Sequence, residues 1–111
     1  MSKIMASFPR VCPALQAEYG DEPIPVKRIN QPVAQDSGCG VGSVCVSDHC
    51  YNWHNQGPSV KLSNPKIFIR VKSGWFKYVG PNYPYSGEIE SKPQGSKDLI
   101  IVGRRINGQL V

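Results

Sequence analysis

No apolar run in this chain approaches the roughly 18 residues of a membrane-spanning helix, so no membrane span is expected. A secretory leader is not expected either, because Ser7, Pro9 and Arg10 break up any apolar stretch near Met1. The chain is therefore expected to be synthesised in the cytoplasm, where thiols stay reduced. A component of a released particle, such as a virion, can oxidise later. Catalytic signatures are missing too. There is no phosphate-cradling glycine loop, no nucleophile elbow and no His-Glu-x-x-His. No Cys-x-x-Cys pair occurs, and no acid stands where it would orient a Cys–His couple as a nucleophile. These absences argue against an enzyme.

What is present suits one compact domain. The chain has 111 residues, enough to bury a core without obligatory disulfides or metal. Its 10 prolines scatter from Pro9 to Pro93 and argue against long helices. Charge is uneven. Residues 1–55 carry four Lys or Arg against five Asp or Glu, whereas residues 56–111 carry nine against three. A basic second half could face an acidic partner such as nucleic acid, but a solvated sheet face with lysines guarding its edges is the simpler reading.

The local signals read as mainly β: a small antiparallel sandwich or barrel with an extended N-terminal arm and at most one short helix. Residues 1–11 read as the arm, and Cys12–Gly20 as the helix, with Pro13 suited to its first turn and Gly20 to its end. Val26–Val33 and Ser43–Ser47 read as short strands around a loop at 35–42. Residues 66–79 give the strongest hairpin: Ile67, Ile69 and Val71 alternate with Phe68, Arg70 and Lys72, and Ser73-Gly74 turns into Trp75–Val79. Gly87–Ser91, Lys97–Val102 and Gln109–Val111 complete the strands, the last after an Asn107-Gly108 turn. The division expected is 1–25 as arm and short helix, and 26–111 as a single β-rich domain.

One constellation has potential chemistry. Cys39, Cys45, His49, Cys50 and His54 fall within sixteen positions, with Cys12 upstream. Cys39, Cys45, Cys50 and His54 have the ligand types of a structural zinc site, although their gaps of five, four and three residues are not two close pairs. Disulfides are a second option, with Cys12 pinning the arm to Cys39 and Cys45 joined to Cys50. Buried thiols with surface histidines are a third. The spacing matches neither common iron–sulfur pattern.

Two further surfaces stand out. Phe68, Arg70, Lys72, Trp75 and Lys77 interleave rings and cations in the hairpin, as a single-strand nucleic-acid platform does, although strand cores also favour aromatics. Phe8 and Pro9 of the arm, with Tyr83 and Tyr85 on the proline-stiffened loop 80–87, suit docking onto protein partners. The expectation is a non-enzymatic structural protein that packs against partner subunits in a homo- or hetero-oligomer, such as a bacteriophage head or tail component. The alternatives are a nucleic-acid-binding β module using the hairpin and a zinc-stapled adaptor.

Overall fold

The computed structural model describes residues 3–55, 66–93, 95 and 97–111. It contains helix α1 (Lys3–Tyr19), strand β1 (Ile24–Pro25), helix α2 (Val26–Ser37), two short 3-10 turns (Val41–Ser43 and Val46–His49), and strands β2 (Phe68–Lys72), β3 (Trp75–Tyr78), β4 (Gly87–Ser91), β5 (Ile100–Ile106) and β6 (Gln109–Leu110). The strands form two antiparallel three-stranded sheets, ordered β1-β3-β2 and β4-β5-β6. The fold is therefore mixed α/β, and the expectation of a mainly β sandwich or barrel is overturned. Among the described residues no helix is long and apolar enough to cross a membrane.

The largest correction concerns the N-terminus. From Lys3 the expected extended arm is helix α1; Met1 and Ser2 lie outside the described residues. Its buried residues Ser7, Phe8, Cys12 and Leu15 recur at spacings that put them on one face of a helix. Pro9 and Pro13 sit on the exposed side. A proline inside a helix deletes one backbone bond and costs about 3 kcal/mol or more. Here burial of Phe8, Cys12 and Leu15 outweighs the loss.

Residues 26–33 are likewise helical rather than extended. Ile29 and Val33, four apart, are the buried pair, joined by Ala34. Gly38 ends α2 at φ 74° and donates its N–H to the Ala34 carbonyl at 2.9 Å, a conformation that favours glycine. The expected strand 43–47 is replaced by the 3-10 turns.

The chain divides into two compact units. The first comprises residues 1–46 and 71–78. Its core is Phe8, Cys12, Leu15, Ile24, Ile29, Val33, Val44, Val46 and Phe76. β1 lies beside β3 with Ile24 opposite Phe76 and Pro25 opposite Trp75. A polar clamp joins the two helices: Ser7 Oγ donates to Asp36 Oδ2 at 2.6 Å, and Arg10 Nη2 stands 2.8 Å from the same oxygen. The Arg10 guanidinium, with help from the Ser7 hydroxyl, holds the Asp36 carboxyl below its ordinary value. A depressed carboxyl stabilises the fold above the ordinary carboxylate range and loses that contribution as pH falls through the lowered value. The urea midpoints of the wild type and Asp36→Asn should therefore differ at neutral pH and converge in acid. A gap that persists in acid would refute the clamp.

The second unit comprises residues 47–70 and 79–111, around Cys50, Tyr51, Trp53, Ile67, Phe68 and Ile89. β4 and β5 pair from Gly87 opposite Arg105 to Ser91 opposite Ile100, with a bulge after Ile89. Asn107 (φ 51°) and Gly108 (φ 81°) form the tight turn from β5 into β6.

Candidate nucleic-acid interface

The Cys/His stretch supplies backbone ties rather than a ligand set. All four cysteines are free thiols: Cys12 and Cys50 are buried, Cys39 is half-buried and Cys45 is exposed. Among the described residues no three His, Cys, Asp or Glu stand together to hold a metal, so the zinc reading finds no ligand set there. Residues 50–54 are held by single backbone bridges with a bend at Tyr51 and Asn52. Tyr51 N–H donates to the Phe68 carbonyl at 2.9 Å, Glu90 N–H to that of Asn52 at 3.0 Å, and His54 N–H to that of Glu90 at 2.9 Å. Cys50 and Trp53 thus make single bridges to Phe68 and Glu90. The Asn52 side chain extends this pairing: its Nδ2 donates to the Arg70 carbonyl and its Oδ1 accepts from Arg70 N–H, both at 2.8 Å. Cys50 and His54 are therefore not on one helical turn. His49 closes the preceding 3-10 turn, and its carbonyl accepts from Ile67 N–H at 2.9 Å. Burial, reinforced by the Lys66 charge, lowers the affinity of the His54 imidazole for a proton.

The expected partner-binding residues separate in the same way. Phe8 is fully buried in the α1 face, while Pro9 is exposed. Tyr83 is exposed, and Tyr85 is half-buried with its hydroxyl donating to the Glu88 carbonyl at 2.8 Å.

Of the five hairpin candidates, two are committed elsewhere. Phe68 is completely buried and offers no ring for a base to stack on. Arg70 lies over the Trp53 ring, its Cζ 3.9 Å from the centroid. The other three stand near the hairpin turn. Lys72 is exposed, with Nζ 5.1 Å from the centroid of the half-exposed Trp75 ring, and Lys77 lies two residues further along β3 on the same strand face as Trp75. Gly74, at φ 80°, makes the turn tight.

One contributor has no local signal in the sequence. Val26 N–H donates to the Gly74 carbonyl at 2.8 Å, which fixes the start of α2 against the hairpin turn. The next two residues, Lys27 and Arg28, are exposed. Arg28 Nη2 bonds both Glu18 carboxylate oxygens at 3.2 and 3.0 Å, an exposed pair that holds its charge locally. Reading 26–33 as a strand hid this juxtaposition, because it placed no helix start at Lys27. The arrangement joins an indole with a cation over its face, Lys77 along the same strand and Lys27 just after the bond to the turn, which is chemistry suited to phosphates and bases.

No solved structure matches the chain. It is 31% identical over 88 residues to the uncharacterized protein YnaC of Bacillus subtilis (strain 168), an alignment covering 79% of this chain and 32% of that protein. The chain thus spans about a third of the length of this relative. A family model described as a domain of unknown function, DUF7225, matches residues 7–111, and the chain belongs to that family.

Proposed function

We propose that the chain is a non-enzymatic nucleic-acid-binding module that docks duplex DNA through the β2–β3 turn and the start of α2. The observation that carries this reading is the bond from Val26 N–H to the Gly74 carbonyl, which sets Lys27 beside the turn bearing Lys72, Trp75 and Lys77. Topology supports it by analogy. A helix, a strand, a second helix and then a hairpin whose second strand takes the centre of a β1-β3-β2 sheet is the order of a winged helix-turn-helix module, with the hairpin as wing. This chain departs from that pattern after α2, where two 3-10 turns stand in place of a longer recognition helix. Phosphate contacts by lysines, rather than reading of base edges by a helix, are therefore the contribution proposed.

The test is fluorescence anisotropy with a short duplex of arbitrary sequence. The wild type should bind at about 50 mM salt and weaken steeply by about 200 mM. Lys72→Ala combined with Lys77→Ala should weaken binding about tenfold and lower the salt slope by about two, since each phosphate contact contributes about 0.9. No binding at low salt, or an unchanged slope in the double variant, would end this reading.

The assembly reading keeps one support. Ile100, Ile106, Leu110 and Val111 expose apolar side chains around β5 and β6 of the second unit, which could pack against other subunits of a particle. Its other support, a free arm presenting Phe8, is withdrawn because Phe8 belongs to the core. The assembly reading requires a defined oligomer in native mass spectrometry, and a monomer at every concentration would remove it.

A further inference from the structure

The second unit holds a pocket of about 390 Å³ lined by Tyr51, Lys66, Tyr83 and Arg105, and its buried cations are committed to backbone carbonyls. Lys66 Nζ donates to that of Asp48 at 2.9 Å, and Arg105 donates through Nε to that of Tyr51 at 3.0 Å and through Nη1 to that of Gly108 at 3.1 Å. Arg105 belongs to one face of the β4-β5-β6 sheet. Its neighbour Arg104 belongs to the other, where the surroundings differ.

The strand register sorts the two faces. Gly87 pairs with Arg105 and Ile89 with Gly103, while Glu88 pairs with Arg104 and Glu90 with Ile101. Paired residues share a face and successive residues alternate. Ile89, Ser91 and Arg105 are therefore the inner side, and all three are buried. Glu88, Glu90, Ile101 and Arg104 are the outer side. On a regular strand residues 101 and 104 point to opposite sides; the bulge after Ile89 adds one residue to β5 and returns both to the same side. Ile106, two beyond Arg104, joins them. Val111 does too, since its N–H donates to the Arg104 carbonyl at 3.2 Å, one step past the Arg105–Leu110 pair.

The outward face of an antiparallel sheet is ordinarily polar. Here Ile101 is 51% exposed, Ile106 52% and Val111 73%, and they flank Arg104 along β5 and across from it. Glu88 and Glu90 run beside them on β4. Glu88 stands directly opposite Arg104, yet among the described residues no ion pair joins Arg104 to either carboxylate.

We propose that this face docks on the same face of a second copy of the chain. It carries aliphatic groups and charges of both signs, so it is complementary to itself, as an isologous twofold contact requires. A twofold axis along β5 stacks Ile101 and Ile106 on their counterparts at the spacing of packed sheets, about 10 Å. β4 of each copy then lies one strand spacing, about 4.8 Å, to the side of Arg104 of the other, within reach of its guanidinium. A partner of one sign would leave either the arginine or the glutamates unpaired at a dehydrated contact. The face is small beside the about 800 Å² per partner of a standard interface, so pairing is expected at micromolar concentrations or above. The proposal rests on the assembly reading and names its partner; it is independent of DNA binding.

The test is sedimentation velocity on the full chain from about 1 μM to about 1 mM, where the wild type should pass from monomer to dimer. Ile106→Glu should weaken the dimer about tenfold or more with unchanged circular dichroism, since its site is exposed in the monomer. Arg104→Glu alone, and Glu88→Arg with Glu90→Arg alone, should each be monomeric, and an equimolar mixture of the two variants should pair again. A wild type that stays monomeric throughout would overturn the proposal and the assembly reading together. Dimers that survive Ile106→Glu, or charge-swapped chains that fail to pair, would overturn the proposal alone, leaving the assembly reading standing and this face to a different protein.

Discussion

Phe8→Ala is expected to destabilise the first unit by about 3–5 kcal/mol, the usual cost of removing a fully buried aromatic ring. Phe8 is 0% exposed, and Cys12 and Leu15 follow it on the same buried face of α1. Single domains are typically stable by only about 5–15 kcal/mol, so this loss would remove a large share of the total. Urea denaturation followed by far-ultraviolet circular dichroism should show the helical transition moving to much lower denaturant. Pro9→Ala is the matched control. Its site is exposed, and it restores a backbone N–H within a helix, so its transition should move the other way. An N-terminus that is an extended docking arm gives the opposite pattern: Phe8→Ala would leave the isolated chain's stability unchanged and weaken a complex instead. An unchanged midpoint for Phe8→Ala would therefore restore the arm and remove α1 from the core.

The same helix shows where sequence reasoning stops. Strand patterns and turn chemistry are local, so the 66–79 hairpin with its Ser73-Gly74 turn was legible, as were Gly87–Ser91 and the Asn107-Gly108 turn. The 97–102 strand was placed early, since β5 runs from Ile100 to Ile106. The helices were misjudged because proline was weighed as a veto. Pro9, Pro13 and Pro32 all lie inside helices, where packing of an apolar face outweighs the lost bonds. Ser7, Phe8, Cys12 and Leu15 carried the true period, and weighting their spacing over the prolines would have found α1.

The candidate sites were legible only in part. Lys72, Trp75 and Lys77 could be read from the hairpin itself, but Lys27 joins them through a backbone bond spanning 48 positions, from Val26 to Gly74. The pocket of the second unit left no local trace. Tyr51, Lys66, Tyr83 and Arg105 come from four separate segments, and nothing near Lys66 or Arg105 in the sequence marks them as buried. The Cys39–His54 cluster was visible from its spacing alone. Proximity in sequence suggested a ligand set, whereas the structure ties the backbone of 50–54 to Phe68 and Glu90.

Cys12 gives the sharpest chemical test of this fold. Burial pushes its thiol from an ordinary 9.0 up to about 12. Only the thiolate is nucleophilic. At pH 8 the upward shift lowers the thiolate fraction about a thousandfold, tenfold for each unit of displacement. Iodoacetamide labelling of the native chain, mapped by mass spectrometry, should therefore mark exposed Cys45 while leaving Cys12 unmarked until denaturant is added. The pH dependence separates this electrostatic protection from simple steric cover. A thiol that is merely shielded levels off in rate once pH passes about 9, whereas a thiol titrating near 12 keeps gaining about tenfold per unit. The linked stability has the matching sign. The folded thiol holds its proton more tightly than the unfolded one, so stability is complete below the ordinary thiol value and is lost as pH rises toward about 12. A Cys12 labelled as fast as Cys45 in the native chain would mean that α1 does not close over the core. A Cys12 that is slow but levels off near pH 9 would keep the helix in place and attribute the protection to access alone, because the low-polarity surroundings that raise the thiol would then be missing.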